Sequence, residues 1–191
     1  VISGGIMTAV TIGLFSVIGL NIEEFYFNNI VVFGLPAVPI LATYLIQTNP
    51  HLIGKVSPVI AKIFSPLVLV MLVIYLIAMS VAQKNPYQDR EFLLVFNVLL
   101  IGVMAIIFFS VAESKATKSQ WEIWVLFLLS AVTIVVNGIA LSAILFRISE
   151  WGITPNRIAV LVGNVLILMH LLLVAGQFFK VLSKRADITV V

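Results

Sequence analysis

The 191-residue sequence contains no cysteine, only two histidines and few charges, and each shortage removes a class of chemistry. Without cysteine there can be no disulfide, no thiolate metal site and no thiol nucleophile. With His51 and His170 as the only imidazoles, a metal site is not expected. There is no glycine-rich phosphate loop ending in lysine, no pair of carboxylates on one helical face, no zinc-protease His-Glu pair and no serine elbow. No catalytic residue and no cofactor are therefore expected. Charged residues make up 10% of the chain and apolar residues 62%, against roughly 25% and 45–50% in soluble domains. A soluble domain of this length has too much surface to cover with so few charges, so lipid must solvate much of the exterior.

What is present fits that reading. The mean hydropathy is +1.21. The net charge of +3 comes from single basic residues scattered between apolar runs, the pattern of membrane-flanking charges and not of a nucleic-acid surface. The expected partners are the bilayer, with an anionic lipid or a small-molecule substrate, and no nucleic acid. The chain starts at Val1 and stops at Val191, and it is expected to be a fragment of a longer protein. The first apolar run lacks a basic leader and contains four spread glycines, so it reads as a span and not a signal peptide.

Six runs approach the length of about 20 apolar residues needed to cross a hydrocarbon core. They cover roughly 2–22, 27–47, 63–83, 91–112, 121–147 and 156–182. Short gaps carry turn residues at Asn49-Pro50, Asn85-Pro86 and 115–120. Nothing alternates like a barrel strand, so the expected fold is all-α, a single polytopic transmembrane helical bundle. Six spans put both termini on one side. That side carries Lys55, Lys62, Lys115, Lys118, Lys180, Lys184 and Arg185, and the other only Lys84, Arg90, Arg147 and Arg157. The bias predicts cytoplasmic termini. Residues 51–64, with Lys55 and Lys62, read as an interfacial helix leading into the third span. Trp121, Trp124 and Trp151 mark the ends of the fifth span at headgroup level.

Polar residues inside spans mark packing or function. Ser130, Thr133 and Asn137 share one helical face, with Ala140 continuing it. Asn156, Gly163, His170 and Gln177 recur every seven residues along the last span, and both faces are expected to point into the bundle. His170 is the only ionisable side chain at such depth and reads as a neutral core histidine. Pro36 and Pro39 remove amide donors in mid-span, the signature of either a kink or a discontinuous helix. With Asn137, Asn164 and His170 they form a candidate midplane cavity.

Between the last two spans, Gly152 is placed as a helix stop and Thr154-Pro155 as a helix start. Arg157 then falls at the third helical position, where the dipole disfavours a cation. Arg147 and Glu150 share a face and could pair, leaving Arg157 to meet Glu150 or a lipid phosphate; the trio is a candidate polar cluster. The segment Arg147 to Arg157, with Trp151-Gly152-Ile153-Thr154-Pro155-Asn156, resembles the C-terminal hairpin of a bacterial family of polytopic membrane proteins, domain of unknown function 4153. The resemblance implies a bacterial inner-membrane protein and supplies no substrate or catalytic residue. Three readings follow: a transporter-like bundle with a midplane polar cavity, a non-catalytic membrane sensor or assembly module, and an enzyme on lipid-linked substrates with the arginines as phosphate clamps.

Overall fold

The computed structural model describes residues 2–48, 56–81, 87, 90–112 and 120–184. Among them the chain is helical with no strand. In order come α1 (Ile2–Val17), a short α2 (Glu23–Phe25), a π-helical stretch (Tyr26–Val31), α3 (Val32–Thr48), α4 (Val56–Val81), α5 (Arg90–Ala112), α6 (Gln120–Trp151) and α7 (Pro155–Lys184). α2, the π-helical stretch and α3 form one continuous rod. Five helices are long and apolar enough to cross a membrane: Glu23–Tyr44, Lys62–Val81, Glu91–Val111, Gln120–Trp151 and Pro155–Ser183. The protein is an all-α membrane bundle. The turns at Asn49-Pro50 and Asn85-Pro86, residues 113–119 and His51 lie outside the described residues.

Two boundaries differ from expectation for readable reasons. The first run was expected to reach residue 22, but α1 ends at Val17. Gly19 adopts φ 84°, and the amides of Gly19 and Leu20 donate to the carbonyls of Ser16 and Phe15 at 2.9 Å. This paired closure, with glycine in the left-handed region, stops a helix whatever the hydropathy beyond it. α1 has 16 residues, about 24 Å of rise, so it is too short to count among the five helices long enough to cross, where six crossing runs are expected from the sequence. At the third run, residues 56–64 belong to the continuous helix α4, which runs through Pro66, and do not form a separate interfacial helix. Pro36 and Pro39 likewise sit inside an unbroken α3. The widened turn lies upstream of them, where Asn29 Nδ2 donates to the Phe25 carbonyl at 2.9 Å.

Side-chain contacts set an up-down order. At one end Lys62 of α4 meets Glu122 of α6 at 3.3 Å, and Phe179 near the end of α7 packs on Phe127 of α6. At the other end Tyr87, between α4 and α5, packs on Phe146 of α6. α6 is the centre of the bundle, with half of its span buried, against 6% for the Glu23–Tyr44 span. The core between α1, α4 and α5 is aromatic: Tyr75 lies edge-on to Phe15 and Phe96, each at 5.7 Å. Trp124 and Trp151 are separated by about 40 Å of α6, close to a bilayer thickness including headgroups.

Candidate functional site

The α6–α7 corner is built as its residues suggest. Gly152 has φ 75° and donates its amide to the Ile148 carbonyl at 3.0 Å, closing α6. Thr154 Oγ1 accepts from the Arg157 amide at 3.4 Å, and its carbonyl accepts from Ile158 at 3.0 Å, opening α7. A Cβ built on Gly152 would meet no atom within 4 Å, so only backbone strain opposes a side chain there. Gly152→Ala should therefore cost about 1 kcal/mol of stability, and Gly152→Asn less, since asparagine tolerates the left-handed region. Thermal unfolding of both variants in detergent checks this ordering.

Arg157 resolves its own paradox. Although it stands in the first turn of α7, its guanidinium reaches back, and Nη1 donates to the carbonyls of Trp151 and Gly152 at 2.8 and 2.5 Å. A cation unfavourable for α7 thus caps the negative end of α6. Its guanidinium carbon also lies 5.9 Å from the Trp151 ring centroid, and that of Arg147 lies at the same distance. One indole is shared by two cations. Arg157→Gln should lower the stability by about 1–2 kcal/mol through loss of two charge-assisted bonds and one ring contact, and Arg157→Lys should recover part of it. A Tm for Arg157→Gln equal to the parent would contradict the capping role.

Arg147 is buried, with Nε donating to the Tyr87 carbonyl at 3.1 Å, so it ties the α4–α5 connection to α6. Tyr87 Oη lies 3.3 Å from Ser142 Oγ on the same helix. The expected pairing with Glu150 is not formed. Glu150 is exposed and makes no ion pair among the described residues, because Arg147 points along α6 toward Tyr87 and Arg157 is held by carbonyls.

Deeper in the bundle the structure joins two expected residues to one that sequence reasoning passed over. Asn137 of α6 donates through Nδ2 to the main-chain carbonyl of Asn164 at 3.2 Å. Asn164 of α7 donates through Nδ2 to Asn97 Oδ1 at 2.8 Å and to the Val160 carbonyl at 2.9 Å. Asn97 of α5 donates to the Leu93 carbonyl at 2.7 Å. The three carboxamides link α5, α6 and α7. Asn137 and Asn164 are 0% and 1% exposed, so no water-sized space touches them. Their Oδ1 atoms are buried without hydrogen-bond partners. Flipping the amides would not help, since each Nδ2 faces a main-chain carbonyl. The signal for Asn97 was available: a lone amide in an apolar run, the same cue that marked Asn137.

The rest of the expected cavity is dispersed. Ser130, Thr133, Asn137 and Ala140 face inward, fully buried. The seven-residue stripe on α7 does not: Asn156 and Gln177 are exposed, and Gly163 and His170 are half-buried. The inward face is displaced by one residue, to Asn164, Leu171 and Phe178, because their larger apolar area is what α6 buries. His170 makes no hydrogen bond among the described residues. Pro36 and Pro39 lie on the exposed side of α3. No group of three potential metal ligands occurs among the described residues. Comparison with protein-family models, with curated proteins and with solved structures returns no match.

Proposed function

We propose that this chain is a non-catalytic membrane assembly module, in which α4 to α7 form a rigid frame and the α2–α3 rod docks a helix of a partner membrane protein. The observation that carries this reading is the contrast in burial: the Glu23–Tyr44 span is 6% buried, while α6 is half buried. A span that packs so little within its own chain is free to pack elsewhere. Proline at 36 and 39 also removes the amides that the Val32 and Leu35 carbonyls would have used, and in lipid such oxygens gain from a donor on a neighbouring helix. The asparagine cluster supports the module over a permeation path, because Asn137 and Asn164 are buried and their amides are engaged in contacts between helices. The engaged guanidiniums of Arg147 and Arg157 weigh against a phosphate clamp on lipid-linked substrates.

The test is site-specific photocrosslinking in intact cells with the probe at Phe33 or Ile40, both strongly exposed on α3. A discrete protein adduct from these sites, absent when the probe replaces exposed Ile77 on α4, is the expected result. Labelling of lipid alone from all three positions sinks the module reading.

A transport-type reading keeps one supporting observation, the linked amides inside three apolar helices, Asn137 and Asn164 buried and Asn97 half-buried. An inventory of lipids and metabolites in cells lacking the protein separates the two. Accumulation of one solute class favours transport, and loss of a membrane complex with an unchanged inventory favours the module. The count of basic residues and the hinge's resemblance support a bacterial inner membrane with the α7 end in the cytoplasm, and both chain ends there when α1 also crosses. A cysteine at Ser149, exposed at the opposite end of the bundle, should then react with an impermeant thiol reagent from outside.

A further inference from the structure

α1, α4 and α5 do not close completely on one another. Between them runs a groove of about 370 Å³, bounded by residues such as Ile6, Met7, Val68, Met71, Val98 and Phe109, and every residue lining it is apolar. It is open sideways, since Ile6, Val98 and Phe109 are each more than two-fifths exposed. Its depth comes from Gly102 and Ala105, which leave the α5 surface bare where a larger side chain would stand.

Dimensions decide what fits. Along α5 the groove extends from Val98 to Phe109, about 16 Å of helix, which is one leaflet of a hydrocarbon core about 30 Å thick. It lies in the half of the bundle nearer the Lys62–Glu122 ion pair, because α4 enters it through Phe64 and Val68. Its volume lies at the lower end of the range of small-ligand pockets, about 300–1,000 Å³, far below what a helix about 10 Å across and as long would fill. A helix could lie only across the mouth of this groove, whereas a single extended hydrocarbon chain can enter it. Met7 and Met71 add thioethers, which adapt to a flexible ligand.

We propose that the groove is a binding site for one acyl chain of a bilayer phospholipid, held in the leaflet at the Lys62–Glu122 end. No charged or polar side chain lines it, so the site selects the chain and not the headgroup.

Native mass spectrometry of the full chain released from membranes tests the site, with Gly102→Leu as the variant. A Cβ at Gly102 meets nothing within 4 Å, so a leucine side chain there starts into the open groove. The parent should retain one phospholipid, and Gly102→Leu should reduce the retained fraction at least tenfold. Gly138→Leu, on α6 and equally unobstructed, should leave it unchanged. Equal retention in Gly102→Leu and the parent, or none in the parent, overturns the proposal. A second measurement needs no variant: vesicles of phosphatidylcholine or phosphatidylglycerol carrying a diazirine on the acyl chain are irradiated with the parent protein. Adducts concentrated on α1 and on residues 98–109, alike for both headgroups, support the site. Adducts spread evenly over the exposed faces of α6 and α7, a strong headgroup preference, or crosslinks to a second copy of the chain would overturn it.

Discussion

Arg147→Leu should lower the free energy of unfolding by about 3 kcal/mol, the larger of the two strongest effects expected in this protein. The substitution keeps an apolar stem but removes a charge-assisted bond to the Tyr87 carbonyl and the contact with the Trp151 ring. Arg147 is only 9% exposed, so its bond to the half-buried Tyr87 lies largely away from solvent and its loss is poorly compensated. Two connections loosen together, the one carrying Tyr87 and the corner at Trp151, because this guanidinium contacts both. Thermal unfolding in detergent, with Glu150→Gln as the exposed control at the same level, is the measurement. A control as damaging as Arg147→Leu would point to general loss of surface charge, and the tie to Tyr87 would lose its support.

Asn164→Leu is expected to cost about 1–3 kcal/mol, and Asn137→Leu close to nothing. The asymmetry follows from which atoms each change leaves unpaired. Leucine at 164 takes away the donor to Asn97 Oδ1 and leaves that half-buried oxygen unpaired. Leucine at 137 loses one long bond of 3.2 Å and at the same time deletes an Oδ1 that had no partner. A double-mutant cycle between positions 97 and 164 should show a coupling of about 0.6–1.7 kcal/mol, the range of interhelical hydrogen bonds in membrane bundles. Equal losses at 137 and 164 would mean that the described bonding pattern of the cluster does not govern its energetics.

The parts of this structure legible in the sequence are those governed by local rules. Hydropathy located five long apolar helices, and the Gly152 stop and Thr154-Pro155 start were readable residue by residue, since caps depend on neighbours along the chain. Gly19 was equally available as a stop, but apolar residues beyond it masked the signal. Arg157 stands in the first turn of α7 as its spacing implies, but linear spacing does not give the reach of its side chain to the carbonyls of α6. The α7 stripe was displaced by one residue for a similar reason. A heptad pattern shows that residues share a face, and only the volume of the facing helix decides which face turns inward. The prolines of α3 drew attention as a functional break, yet the helix continues through them on the side turned away from the frame.

The polar contacts of the frame occur at three depths: Lys62 with Glu122 at one end, the three asparagines between, and Arg147 with Tyr87 at the other. Apolar helix surfaces in lipid give little resistance to sliding past one another, since a shift of one turn exchanges one set of aliphatic contacts for another. Each of these polar rungs, by contrast, would be broken by the same shift of about 5.4 Å. Piston-like displacement of α4, α5, α6 or α7 is therefore blocked at several levels at once. A signal passing through this protein would travel most readily as a swing of the α2–α3 rod, the spanning element that no such rung fastens among the described residues.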